Sequence, residues 1–314
     1  MYIYKIWIAR GREYFEYGNE KKKCLPFGKS LMDFLYLDIW SYNNLFDDMI
    51  DSLMELCSSK EHRYVDEALA ALNTIASTHI YFELLRSEWQ NRLEKAKRWN
   101  YENVIELLPY KELRVIPYNV STMQEQIKML FERVFDLDSS GKEPVQKKMV
   151  DYYSHKGEHE LDIFRFDPLL INFEVIDQKT FTEALYPKNI YDIINYFVRE
   201  CVKREQPVRI CKNCKRYFAI SGRISSQYCY RPIDDKGRTC KDMGAVNLWN
   251  EKRKDDENFK VYRQEYKKRF GWIKAGKIKQ DAFYSWSKKA RKQKARCDNG
   301  EISLQELSEW LKNS

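Results

Sequence analysis

The sequence predicts a mainly α protein with small β elements, in three parts. These are a helical N-terminal region, a treble-clef-like zinc finger and a C-terminal basic helical hairpin. Three observations carry the expectation. Apolar side chains recur at helical spacing through much of residues 1–205. Four of the eight cysteines fall between Cys211 and Cys240. Positive charge is concentrated in the C-terminal third. Residues 201–300 hold 28 Lys and Arg against 11 Asp and Glu, whereas residues 1–200 hold 26 against 33. At 314 residues the chain is longer than a typical single domain. The parts read as 1–205 for the helical region, with an optional division near 110–120, then 206–250 for the finger and 251–314 for the tail.

Residues 2–17 read as a short strand or hairpin, with Ile3, Ile6 and Ile8 among aromatics and Gly11 near the turn. Residues 29–58 and 63–98 carry helical periodicity, the second around "EALAALNTIASTHIYFELL". Pro109 and Pro117 punctuate a loop. A helix over about 122–135 opens on a capping-box pattern, Ser121 with Gln124 three residues on. Residues 160–176 alternate as strands do, with a break at Pro168. Residues 189–204 form a helix that leads into the cysteines. Near the end, "GKIKQDAFYSW" (276–286) and "GEISLQELSEW" (300–310) repeat with a period of 24 residues. Each copy predicts a turn and an amphipathic helix, together a hairpin packing Trp286 and Trp310. Ser303 and Glu306 make a capping box in the second copy; Lys279 stands at that place in the first.

The cysteine spacing is C-x2-C-x14-C-x10-C, formed by Cys211, Cys214, Cys229 and Cys240. A C-x2-C pair can turn two thiolates toward one ion, and Asn213 can take the left-handed conformation such a knuckle needs. "KRYFAI" then reads as a strand, "GR" as a turn and "ISSQYC" as a returning strand. Cys240 opens the helix "KDMGAVNLWNEKRK". Four thiolates suit one structural, tetrahedral Zn²⁺ with no open position. The usual second pair is C-x2–4-C. The intervening "YRPIDDKGRT" is therefore expected to be a looped insertion, turned at Pro232 and Gly237.

"CKNCKRYF…QYC…C" followed by a basic helix resembles the C-terminal zinc finger of bacterial CGNR-type proteins. The chain is also similar to an uncharacterised bacterial domain family, found in genomes and mobile elements of Gram-positive anaerobes. There a helical region precedes such a finger and a basic "YKKRF…GKI…F…W" tail follows. The resemblance covers about residues 190–314. CGNR-type proteins are regarded as DNA-binding regulators, and the resemblance implies that role. "CKDMGAVN" stands where their tetrad would be.

The basic tail combines aromatics and cations. Tyr262, Tyr266 and Phe270 recur every four residues, and Phe283, Trp286 and Ala290 every three or four, which is a core-facing stripe rather than a set of base-stacking platforms. Lys267, Lys268 and Arg269 form one cationic cluster. Lys288, Lys289, Arg291, Lys292, Lys294 and Arg296 form a second. The finger adds Lys212, Lys215, Arg216 and Arg223. Like charges at helical spacing repel one another, and phosphates relieve that repulsion. Nucleic acid, DNA before RNA, is the expected partner. Self-association or an acidic protein are the alternatives, the latter including the acidic half of the same chain.

No apolar run approaches a membrane span. The N-terminal "MYIYKIWIARGREYF" does not read as a signal peptide. A cytoplasmic protein without a membrane partner is expected, and in that reducing setting grouped cysteines favour metal over disulfides. There is no Gly-rich phosphate loop and no G-x-S-x-G elbow. An enzyme is the less expected reading. A mobile-element nuclease would call on Asp234, Asp235 and Asp242, which a loop and a helix cap explain more simply. His155 and His159 have i, i+4 spacing, but Gly157 sits between them and no third ligand is evident. His62, His79, Cys24, Cys57, Cys201 and Cys297 are scattered, and Asp47, Asp48 and Asp51 read as the wet face of a helix.

Overall fold

The computed structural model describes residues 4–18, 21–102, 104–135, 143–154 and 163–314. His155 and His159 lie outside them. Packing divides the chain into two compact units, Met1–Cys229 and Tyr230–Ser314, so the division falls inside the 206–250 segment.

The first unit begins with β1 (Lys5–Ala9), β2 (Arg12–Tyr17) and β3 (Lys21–Pro26). Arg10 and Gly11, both at positive φ, turn β1 into β2, as the short N-terminal hairpin requires. Then come α1 (Lys29–Phe34), a 3₁₀ turn Ile39–Tyr42, α2 (Asn43–Ser59), α3 (Arg63–Thr78), α4 (Phe82–Arg98) and the single turn α5 (Val104–Leu107). A second 3₁₀ turn, Tyr110–Val115, leads into α6 (Ile116–Val134), followed by α7 (Val145–Ser154), β4 (Ile171–Asp177), β5 (Thr180–Leu185), α8 (Ile190–Lys203), β6 (Val208–Ile210) and β7 (Tyr217–Ala219). The antiparallel sheet runs in the order β3-β2-β1-β5-β4. Ile6 and Trp7 of β1 lie opposite Leu185 and Ala184 of β5, which joins the chain start to the approach to the cysteines. Tyr81 stacks on Phe197 of α8 at 5.8 Å, and Phe15 of β2 touches the same ring at 5.6 Å, so sheet and helices share one core. On the outer hairpin Phe173, Val175 and Phe181 remain exposed.

Two periodic stretches are broken where distant groups intervene. Residues 29–58 give way between α1 and α2. The buried Gln124 of α6 donates to the carbonyls of Phe34 (2.6 Å) and Leu37 (2.8 Å), which satisfies backbone that a continuous helix would have used. Residues 63–98 break at His79, whose backbone is extended; its Nδ1 accepts from the Tyr81 N–H and its Nε2 meets the Ser30 carbonyl at 3.0 Å. The helix expected over 122–135 starts earlier, at Ile116. Pro117 sits in its first turn, where a missing N–H costs nothing, so it opens a helix rather than punctuating a loop. Ser121 therefore caps nothing, and Gln124 faces the core instead of reaching back.

The second unit holds α9 (Cys240–Lys252), α10 (Glu257–Lys274), α11 (Gln280–Asp298) and α12 (Leu304–Asn313). The expected hairpin of α11 and α12 is completed by α10, which packs on both. The 24-residue repeat accounts for the symmetry. Gly276 and Gly300 both take the left-handed region at φ 68° and 77°. Ile278 and Ile302 pack at equivalent places, and Phe283 and Leu307 are both fully buried. Ser303 and Glu306 make their capping box, while Lys279 caps without a side-chain bond. Tyr262 and Tyr266 pack against the buried cluster of this unit, Tyr266 meeting Phe283 edge-on at 5.0 Å, whereas Phe270 stays exposed, so the aromatic stripe of α10 faces the core only in part.

Candidate metal centre

The site is built on the short ladder of β6 and β7. Ile210 pairs with Tyr217 and Val208 with Ala219, so the six residues between must turn tightly. The Cys211 N–H donates to the Arg216 carbonyl (2.9 Å), and the Lys215 N–H donates to the Cys211 carbonyl (2.9 Å). The left-handed residue of this knuckle is Lys215, at φ 60°, and not Asn213. Lys215, just after the second cysteine, reverses the chain, and the Asn213 N–H is directed at the sulfur of Cys211.

β7 is anchored to the first unit. The Tyr36 hydroxyl accepts from the Tyr217 N–H at 2.9 Å, and the Tyr217 hydroxyl donates to Glu132 at 2.6 Å. Gly28, in the left-handed region at φ 81°, lies so close that a Cβ there would stand 2.6 Å from the Ala219 Cβ. The knuckle is therefore held by the same body that carries the sheet.

Residues 224–229 do not return as a strand. Their backbone groups are used otherwise: the Lys212 N–H donates to the Gln227 carbonyl (3.0 Å), and Arg209 donates to the Ser226 carbonyl (3.3 Å). This folds the loop back and delivers Cys229, whose N–H donates to the Cys211 sulfur at 3.4 Å. The insertion before Cys240 is a closed turn, as expected from Pro232 and Gly237. Pro232 bridges Thr239, Gly237 adopts φ 72°, and the Asp234 carboxylate accepts from the N–H groups of Lys236 and Arg238 and from the Arg238 guanidinium. The Cys240 N–H then donates to the Arg231 carbonyl at 3.0 Å. Thr239 and Asp242 form a capping box that starts α9 at Cys240. Asp234 and Asp242, two of the three carboxylates a nuclease would call on, thus close a turn and cap a helix.

The four sulfurs lie within 4.8 Å of one another, with Cys211, Cys229 and Cys240 buried and Cys214 half-buried. The sulfurs of Cys214 and Cys229 are 3.7 Å apart. A tetrahedron with metal–sulfur bonds of about 2.3 Å has edges of about 3.8 Å, so this pair already has the required separation. Burial opposes ionisation of Cys211, but N–H groups of Cys214, Cys229 and Asn213 directed at its sulfur prevail and bring the thiol down to about 7. A sulfur prepared as a thiolate is a metal ligand. The four cysteines can hold a metal ion. The remaining cysteines stand apart: Cys201 in the first core with its thiol pushed up by burial, Cys297 in the helical bundle, Cys24 exposed on β3 and Cys57 on α2.

The basic residues divide by what they touch. Lys212, Lys215, Arg216 and Arg223 are exposed around the knuckle and its loop, with Arg216 also lying over the Tyr36 ring. Lys267, Lys288, Lys289, Arg291 and Lys292 are exposed on α10 and α11. Lys268 is exposed but pairs with Glu265. Arg269 is committed to packing: its guanidinium lies 4.6 Å from the Trp286 ring and donates to the Leu311 carbonyl. Lys294 pairs with Asp256 and Asp298, and Arg296 with Glu301. Sequence reasoning passed over Arg253 and Arg263. Their only signal was an aromatic four residues before each, Trp249 and Phe259.

A family model described as "Family of unknown function (DUF6076)" matches residues 171–313. The match takes in the β4–β5 hairpin, α8, the four cysteines and nearly all of the C-terminal helices. The comparisons with curated proteins and with solved structures each found no match. Among the described residues, no helix is long and apolar enough to cross a membrane.

Proposed function

We propose that this chain is a zinc-dependent nucleic-acid-binding protein, a DNA-binding regulator of the cytoplasm. One Zn²⁺ is bound by Cys211, Cys214, Cys229 and Cys240 and serves structure, because four thiolates fill a tetrahedral shell and leave no position for substrate. The single observation behind this reading is the four-sulfur cluster at the start of α9, ahead of a helical unit rich in cations. The likeness of the finger to CGNR-type proteins supports a DNA target. Metal binding supplies folding free energy to the segment that holds it. Phosphate contact falls to the predicted cations that are exposed and, among the described residues, pair with no carboxylate: Lys212, Lys215, Arg216, Arg223, Lys267, Lys288, Lys289, Arg291 and Lys292.

A second reading has its own support. Lys268, Lys294 and Arg296 are already neutralised by carboxylates of the same unit, which lowers the charge offered to phosphates. In that reading the zinc staples a protein-interaction module and the tail docks an acidic protein.

The deciding experiment measures metal content and DNA binding in one preparation of wild type and of Cys229→Ser. One zinc per chain, with salt-sensitive DNA binding that the substitution abolishes, is the expected result. One zinc with no binding to DNA or RNA at low salt rejects the nucleic-acid reading in favour of the interaction module. Absence of zinc rejects both.

A further inference from the structure

The end of α9 and the start of α10 enclose a cleft of about 390 Å³, lined by Trp249, Asn250, Arg253, Phe259, Arg263 and Lys267 among others. A second hollow of about 490 Å³ shares Trp249, Phe259, Arg263 and Lys267 and extends to Arg291 of α11. The turn between the helices makes the cleft. Asp256 caps α10 by accepting from the Phe259 N–H at 2.8 Å, which brings the Phe259 ring edge-on to Trp249 at 5.1 Å. Two guanidiniums lie against this aromatic pair. Arg253 is 4.7 Å from the Trp249 ring and 4.2 Å from Phe259; Arg263 is 5.2 Å and 5.6 Å from the same rings. Lys267 stands one turn beyond Arg263 on the same face of α10.

The charge of this cleft is unbalanced in a way its surroundings are not. Lys260 pairs with Glu257, Lys268 with Glu265, Lys294 with Asp256 and Asp298, and Arg296 with Glu301. Among the described residues, no carboxylate pairs with Arg253, Arg263 or Lys267. Each arginine instead rests on aromatic faces, which hold a guanidinium in place while its N–H edges stay available. A planar fork that is already oriented loses little freedom on binding, and its geometry matches two oxygens of a phosphate.

We propose that this cleft is the phosphate-binding core of the nucleic-acid interface. Arg263 and Lys267 grip the phosphodiester backbone, Arg253 and Arg291 flank it, and Trp249 and Phe259 orient the arginines. This rests on the nucleic-acid reading above and deepens it. The interface then follows a built site and not simply the sum of positive charge on the tail. Carboxylates of an acidic protein are the competing ligand, which failure of the wild type to bind any nucleic acid would favour.

Binding of a fluorescent DNA duplex and of its single strand to the full-length, zinc-loaded protein is followed by anisotropy across a salt series. Four variants are compared with wild type, with zinc content and far-ultraviolet circular dichroism as checks on folding. Arg263→Gln with Lys267→Gln is expected to weaken binding about tenfold or more and to reduce the salt slope by about two phosphate contacts. Lys277→Gln with Lys279→Gln removes the same charge from exposed lysines outside the cleft and is expected to cost less than about threefold. Trp249→Leu leaves the charge unchanged and is still expected to weaken binding by about threefold or more, and Arg263→Lys likewise, because each removes the oriented fork. Equal losses in the two double variants, or no loss with Trp249→Leu and Arg263→Lys, would overturn the cleft while leaving nucleic-acid binding intact. Wild type that binds neither DNA form, nor RNA, overturns the parent reading and the cleft with it.

Discussion

Ser30 is the meeting point of a buried polar cluster in the first unit. Glu13 accepts from its N–H and its hydroxyl, both at 2.7 Å, the Tyr81 hydroxyl lies 2.9 Å from that hydroxyl, and His79 meets its carbonyl. Burial pushes the Glu13 carboxyl up to about 8, against the opposing Ser30 hydrogen bonds. Burial also holds the His79 imidazole down at about 4. The two act in opposite directions. Glu13 binds its proton more tightly folded than unfolded, so its contribution is complete below its unfolded value and is lost as pH rises toward 8. His79 binds its proton less tightly folded, so its contribution is complete above about 6.5 and is lost as pH falls toward 4. Between about 4.5 and 6.5 the slopes cancel. Between about 6.5 and 8, of these two groups only Glu13 acts, and its contribution should fall by about 2 kcal/mol. Chemical denaturation of wild type and Glu13→Gln at several pH values checks this. The neutral amide should remove the loss above pH 6.5, and parallel curves would show that the group does not titrate there.

β7 couples the metal site to the core, and its anchors can be removed singly. Tyr217→Phe deletes the hydroxyl that donates to Glu132 and should cost about 1.5–3 kcal/mol, as for other hydrogen bonds to charged groups. Gly28→Ala asks a side chain to adopt φ 81° and to enter a space where the Ala219 Cβ is 2.6 Å away. Left-handed strain alone costs about 1–2 kcal/mol, and the overlap adds to it. Denaturant midpoints measure both. Metal affinity is the more telling readout: if β7 positions the knuckle, both variants release metal to a chelator at lower concentration than wild type does. An unchanged metal affinity alongside lowered stability would mean that the knuckle forms independently of its anchor.

Two hydrophobic clusters, one in each unit, account for most of the buried apolar surface, and none of the four ligand cysteines belongs to either. Apart from β7, the segment from 211 to 240 has turns and an isolated bridge in place of a core of its own. A metal ion held by the four cysteines would then be its main source of cohesion. Chelation should abolish amide protection selectively in the turns and loops of about residues 211–216 and 222–240 and leave β7, α3, α6, α8 and α11 protected, as read by hydrogen exchange with mass spectrometry. Global loss of protection would mean that the two cores depend on the metal as well.

Chemistry carried by near neighbours was legible in the linear chain. The thiolate spacing, the turn chemistry of Pro232 and Gly237, the Ser303 capping box and the 24-residue repeat all concern residues within one or two elements of each other. Helical periodicity was equally plain, because a buried stripe must recur every turn. What could not be read were features that depend on a distant partner. Gln124 interrupts one helical stretch from far along the chain, and His79 ends another where it meets the distant Ser30 carbonyl. β3 is a run of lysines that becomes a strand only because β2 offers an edge, and β5 is placed by β1. The cations divide into those with a carboxylate and those held only by an aromatic ring, and no composition count distinguishes them. Spacing along the backbone sets which groups can meet locally. Which polar groups are satisfied, and which remain available to a ligand, is settled by packing, because burial and pairing are properties of neighbours in space.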